Sequence, residues 1–315
     1  MLEIIFNENF IIGLLAAAVR FSTPLILPAF GEILAERSGV LNLGVEGIML
    51  MGAFLGFIGA YFTGDLFIGI AFSIIIGAIL GLIHAFVCVT LRANQIVSGM
   101  AIWFLGWGMS GFLYRMIFGI RPLPVTIEGF KTINVPLLSE IPFIGQILFQ
   151  QNLLVYISLI LIPIMYLAIF KTTFGLKIRA TGENPRTADV AGVNVYLIRY
   201  ICVITGGALA GLGGGYLSLA HLNMFIDNMT LGRGFIAIAI VYFGKWNPYK
   251  TFIGALIFGG VDALQSRLQA MKLGIPFQFL LMLPYALTIL ALLGLARKAE
   301  SPAALTIPYQ REEKE

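Results

Sequence analysis

Apolar runs long enough to cross a bilayer follow one another along this chain with only brief polar interruptions, at approximately 10–30, 41–62, 66–90, 97–118, 152–170, 199–220, 228–243, 251–265 and 277–296. A hydrocarbon layer about 30 Å thick is crossed by roughly 20 helical residues, and within it every backbone N–H and C=O must find a partner inside the protein. The runs therefore predict an all-α, polytopic transmembrane helical bundle of about nine spans (eight to ten), with room for broken or re-entrant helices. Composition agrees. Only 11% of the 315 residues are charged, 59% are hydrophobic and the mean hydropathy is +0.93, whereas a soluble domain carries about 25% charged residues. Outer-membrane strands are excluded because they alternate over roughly ten residues, and these runs are apolar on every face. The start, "MLEIIFNENF", lacks the basic region of a signal peptide, so no cleavage is expected.

Charge placement sets an orientation. If the polar stretch 174–195 faces the cytoplasm, alternation puts thirteen of the 20 basic residues in interior segments and six outside, with Arg20 inside the first run. Positive charge then favours the cytoplasmic side, as membrane insertion requires. The N-terminus is predicted outside and the C-terminus inside. Residues 1–296 form one transmembrane domain with a cytoplasmic loop at 171–198, and 297–315 form a cytoplasmic tail. The stretch 119–151, with Pro122, Pro124, Pro136 and Pro142, faces the exterior and cannot be one helix.

Several features break the pattern of straight spans. Pro24 and Pro28 follow Arg20 in the first run, a combination expected to kink the helix and free backbone carbonyls. The runs 228–243 and 251–265 are short, the usual pointer to discontinuous helices around a transport site. Glycines recur every four residues at Gly207, Gly211 and Gly215, at Gly52 and Gly56, and at Gly77 and Gly81. Such stripes let helices approach closely, and packing within the bundle is favoured over a dimer face. In "TGENPRTADVAGVNV", Asn184 suits an N-cap, Pro185 a first helical position and Gly192 a left-handed stop, which predicts a short helix over about 185–191.

That same segment resembles the cytoplasmic coupling segment of ABC importer permeases of the branched-chain amino acid, simple-sugar and nucleoside group. "ERSGVLNLGVEG" (Glu36 to Gly47) and "YFGKWNPYKTFIGALIFGGVDALQ" (Tyr242 to Gln265) are similar to blocks of the second permease subunit of bacterial nucleoside-type uptake systems. The resemblance spans about residues 20–290. It implies a multi-pass subunit of the bacterial cytoplasmic membrane that forms the path for a nucleoside or related small polar solute. It also implies three partners: an ABC ATPase, a second homologous permease and an extracytoplasmic substrate-binding lipoprotein. Glu183, Asn184, Pro185, Arg186, Asp189 and Gly192 would couple to the ATPase. ATP and Mg would be used by that ATPase, with no cofactor on this chain.

The residues themselves oppose an enzyme. No G-x-x-x-x-G-K-[ST] loop occurs, since Gly244–Lys245 is followed by Trp246. His84 and His221 lie apart in apolar contexts, and Cys88 and Cys202 read as core residues, so neither a metal site nor a catalytic set is expected. Ionisable groups inside spans are costly and mark solute paths. Candidates for the path are Arg20, Asn42, Glu46, Trp103 and Trp107, with His84, Asp262 and Tyr114 behind them. Arg20 and Glu46, on adjacent runs, are predicted to form an ion pair. Two other classes remain open: an ion-coupled secondary transporter, which would need mid-span carboxylates beyond Glu46, and a regulatory membrane subunit. A simple sugar is the alternative solute. Membrane lipid surrounds the chain, and nothing in its charge points to nucleic acid.

Overall fold

The computed structural model describes residues 8–271, 276–295 and 301–311; of the predicted cytoplasmic tail, 297–300 and 312–315 lie outside them. The helices are α1 (Glu8–Arg37), α2 (Val45–Thr63), α3 (Leu66–Ala85) and α4 (Gln95–Phe118). An outer excursion follows, with β1 (Thr132–Asn134), α5 (Ile144–Leu148) and β2 (Gln150–Asn152), the two strands pairing antiparallel. Then come α6 (Leu153–Lys171), α7 (Thr173–Glu183), α8 (Pro185–Val190), α9 (Val195–Tyr216), α10 (Arg233–Gly244), α11 (Pro248–Ala270), α12 (Phe277–Leu281) and α13 (Leu283–Leu295). α3 and α9 each run on into a π turn, at Phe86–Thr90 and Leu217–His221.

Among the described residues six helices are long and apolar enough to cross a membrane: Glu8–Arg37, Val45–Thr63, Leu66–Thr90, Gln95–Phe118, Leu153–Lys171 and Val195–His221. The predicted count of about nine is not confirmed, and each of the three remaining runs takes a different form. Residues 228–243 resolve into a loop and the 12-residue α10. The 251–265 run lies in α11, which reaches 23 residues only by taking in a polar end, and the 277–296 run is divided into α12 and α13.

α1 runs as one 30-residue helix through both prolines. Pro24 has no N–H to give the carbonyl four residues back, and that carbonyl, Arg20 O, instead accepts from the Tyr216 hydroxyl at 3.0 Å. The predicted freed carbonyl is thus present, and α9 satisfies it.

α9 lies at the centre, and glycine lets three helices reach its backbone. A Cβ at Gly31 of α1 would stand 2.5 Å from Gly206 O, one at Gly52 of α2 2.3 Å from Gly211 O, and one at Gly77 of α3 2.2 Å from Gly207 O. These are backbone-to-backbone contacts that no side chain could relieve. The glycine stripes therefore serve packing within the bundle, as predicted. Ser73 Oγ adds a hydrogen bond to Gly52 O at 2.9 Å, tying α3 to α2.

Contacts sort the loops into two ends. At one, Ile127 N–H donates to Asn223 O and Phe130 N–H to Leu219 O, while Arg267 reaches Phe10 O. At the other, Gly182 abuts Arg37 O, and Trp246 bonds Glu36. The grouping is the one that alternation of the spans predicts.

Gly211→Val is expected to cost about 3 kcal/mol or more, because a Cβ there would meet Ser73 O at 2.2 Å. Gly108→Ala, on a helix position facing open space, is expected to be neutral or to stabilise by up to about 1 kcal/mol. Unfolding of the two variants in mixed micelles checks both.

Candidate functional site

α10 is too short to cross a bilayer, and its first N–H groups have no partners within the helix. The chain reaches it through a loop at 222–232, in which Asn223, Asn228 and Leu231 take positive φ and Gly232 (φ +79°) precedes the first turn. The orphan donors converge on one side chain. Glu46, buried on α2, accepts from Thr230 Oγ1 at 2.5 Å and Gly232 N at 2.7 Å through Oε1, and from Gly234 N at 2.6 Å through Oε2. A carboxylate at a helix N-terminus satisfies both the donors and the helix dipole. Gly234 permits the approach, since a Cβ there would lie 2.6 Å from Glu46 Cα. The other end of α10 is held too. Lys245 and Trp246 turn back at φ 52° and 54°, and the buried Trp246 indole donates to Glu36 Oε2 at 2.5 Å.

Both carboxylates belong to the Glu36–Gly47 block, and the turn between them is cross-linked to three more elements. Ser38 O accepts from Arg199 Nε of α9 at 3.1 Å, and Leu41 N–H donates to Gln95 Oε1 of α4 at 2.8 Å. His84 of α3 joins Leu41 O and Ser98 Oγ, both at 3.0 Å; because a carbonyl only accepts, Nε2 carries the proton. Asn42 Oδ1 accepts from Gly44 N at 2.9 Å, shaping the turn itself. The backbone at Gly47 lies against Ile102 and Trp103 of α4. His84 and Asn42 therefore hold the turn in place.

The predicted Arg20–Glu46 pair does not form. Both Glu46 oxygens are taken by the start of α10, while Arg20 is exposed and donates to Ala16 O one turn earlier. The pairing assumed that adjacent spans bring the two residues to one level, and the α10 terminus is the nearer charge complement. Of the other path candidates, Trp103 packs edge-on against Phe235 of α10, with centroids 5.2 Å apart, and Trp107 is 46% exposed on the outer face of α4. Asp262 pairs with Arg233 at 3.1 Å, with side chains only 16% and 15% exposed.

Beside this pair lies a cavity of ≈ 360 Å³, lined by Phe21, His221, Asp227, Asn228, Arg233 and Ser266 among others. A smaller one of ≈ 100 Å³, reaching Asp262, Gln265 and Tyr285, shares Phe21, Leu231, Arg233 and Ser266 with it. The Phe21 ring meets His221 edge-on at 4.8 Å, and Tyr216 stacks on the same imidazole at 6.1 Å. Phe21, His221, Asn228, Arg233 and Ser266 were not among the path residues expected from sequence. The only signal for them is the shortness of the 228–243 run, which marks where a helix must break.

At the opposite end the polar turn forms as its residues dictate. Asn184 Oδ1 accepts from Thr187 N at 3.1 Å, Pro185 opens α8, and Gly192 (φ +85°) closes it, with Val193 N–H donating to Ala188 O at 3.0 Å. Asp189 is engaged by Arg311 at 3.0 Å. Glu183 and Arg186 flank the same turn.

A crevice of mixed polar and apolar lining beside a broken, carboxylate-capped helix, in a bundle of apolar spans, is the architecture expected of a membrane solute permease. The chain belongs to the branched-chain amino acid transport system permease component family, whose model matches residues 14–292. The guanosine ABC transporter permease protein NupQ of Bacillus subtilis is 39% identical over 306 residues, 93% of this chain and 95% of its own. The nucleoside ABC transporter permease protein NupC of Lactococcus lactis is 36% identical over 94% and 96%. The provisionally named glucose ABC transporter permease protein TsgC13 of Haloferax volcanii is 38% identical over 85% and 81%. The same Bacillus and Lactococcus strains each hold a second such permease protein, NupP and NupB, both 25% identical to this chain. No solved structure matches. This is an ABC transporter permease subunit, a multi-pass membrane protein.

Glu46→Gln is expected to cost about 2 kcal/mol, because an amide cannot accept all three bonds. In double-mutant cycles it should couple to Thr230→Val by about 1 kcal/mol or more, and should add to Arg20→Met within about 0.5 kcal/mol. Unfolding free energies of the five variants and wild type, in mixed micelles, check this; coupling to Arg20 and not to Thr230 would contradict the structure.

Proposed function

We propose that this chain forms the translocation path for a nucleoside, or a closely related small polar solute, in an ATP-driven importer of the bacterial cytoplasmic membrane. The observation that carries the solute class is the Phe21–His221 aromatic pair, backed by buried Tyr216, at the cavity beside Asn228, Ser266 and the Arg233–Asp262 pair. A heterocyclic base stacks on such rings for about 1–3 kcal/mol, and sugar hydroxyls find donors and acceptors in the polar groups. The names of NupQ and NupC, which match nearly the whole chain, support the same solute. A simple sugar is the second reading, favoured by TsgC13. Arg20 flanks the path, while Glu46 and Trp103 build its wall by positioning α10.

Residues 1–296 are the permease domain and 297–315 its cytoplasmic tail. The turn Glu183–Gly192, with Asn184, Pro185, Arg186 and Asp189, docks an ABC ATPase, which binds the ATP and Mg; this chain binds no cofactor. A second homologous permease completes a heterodimer, as the paired relatives of two organisms suggest, and an extracytoplasmic lipoprotein delivers solute. Reconstitution of all four components in liposomes is expected to give ATP-dependent uptake of guanosine that excess glucose does not inhibit. Glucose uptake would overturn the nucleoside reading, and ion-driven uptake by the chain alone would overturn the ATPase requirement.

A further inference from the structure

Residues 301–311 have no helix or strand of their own, yet they are fastened along their length to the polar turn. Ala304 N–H donates to Gly182 O at 2.8 Å, and Ala303 N–H reaches Glu183 Oε2 at 3.4 Å, fixing the segment to the end of α7. In the middle, buried Arg199 at the start of α9 donates through Nη1 to Ile307 O at 3.1 Å, while its Nε holds Ser38 O at the end of α1. Tyr309 is buried against Ala188, Val195 and Tyr196, its ring 5.6 Å from that of Tyr196. Arg311 closes the series with its ion pair to Asp189.

The placement bears on docking. α8, at six residues, is too short to hold itself in water, and the segment supports one of its flanks. A groove of ≈ 320 Å³ runs between Glu183–Arg186 and the segment. On α8, Val190 is 90% exposed, and on the segment Ile307 is 54% exposed, so adjoining elements each offer an aliphatic side chain outside the spans. Elsewhere at this end the connections are brief, at 38–44, 91–94 and 245–247. The stretch 172–194 with the segment laid on it is the broadest ground there for a partner that must move α9.

We infer that the C-terminal segment is part of the ATPase docking face, with Ile307 and Val190 as two apolar contacts of one composite surface. This rests on the reading of Glu183–Gly192 as the ATPase-coupling turn. Arg199 gives the face a mechanical role, because it joins the segment to the first turn of α9, the helix on which α1, α2 and α3 close through glycine.

The test uses the complete four-component complex, with a photo-crosslinking amino acid at position 190, 307 or, as an outer control, 120. Positions 190 and 307 are expected to join the ATPase subunit, and 120 is not. Ile307→Asp keeps the backbone carbonyl that Arg199 uses. It is expected to weaken ATPase binding about tenfold, with the melting temperature and second-permease binding unchanged, and Val190→Asp should behave alike. If 190 joins the ATPase while 307 joins only lipid or nothing, and Ile307→Asp binds ATPase as wild type, the composite face is overturned and the coupling turn stands. If neither position joins the ATPase, the coupling reading itself fails.

Discussion

A helix that begins inside a membrane protein exposes its first N–H groups where no water can take them, and each one left unpaired costs several kcal/mol. The Glu46 carboxylate removes that cost for α10 by accepting from Thr230, Gly232 and Gly234 at once. The rest of the site follows from this contact. Once the start of α10 is fixed, Arg233 is set against Asp262, and the loop before it walls a cavity of mixed lining. Glu36, ten residues earlier, holds the far end of α10 through Trp246. One turn of chain between two spans thus clamps a half-helix at both ends.

The bundle around the clamp is assembled by backbone proximity. With lipid outside, helices gain little from hydrophobic burial against one another, and close approach through small residues takes its place. α9 meets α1, α2 and α3 at glycine, while its N-terminal part carries Arg199 to the end that holds the polar turn and its last turn carries Tyr216 to the carbonyl freed by Pro24. Under the proposed coupling, a displacement at the polar turn would pass into α9, the helix that α1, α2 and α3 approach through glycine.

Legibility in the sequence tracked the range of the interaction. The apolar spans, the Asn184 cap, the Pro185 start and the Gly192 stop are set by residues within a few positions, and all were readable. The freed carbonyl before Pro24 was readable too, but not its Tyr216 partner. Glu46 was legible as a costly buried charge, yet its partners lie more than 180 residues away, and the nearer Arg20 was the wrong choice. The break that makes α10 a 12-residue helix was legible only as a short apolar run, because hydropathy does not show where a helix starts. The cavity residues His221, Asn228 and Ser266 come from three separate segments and share no spacing that a single sequence could display.

The proposed solute path runs beside the clamped α10. In a complex whose Cys88 and Cys202 have been replaced, single cysteines at Asn228 and Ser266 can be treated from the exterior with a water-soluble thiol reagent. Both are expected to react, and guanosine delivered by the proposed binding lipoprotein should slow both reactions, whereas a cysteine at Trp107 on the outer face of α4 should be unaffected by solute. Failure of both cavity thiols to react, or reaction at a rate that guanosine leaves unchanged, would contradict a path at this site.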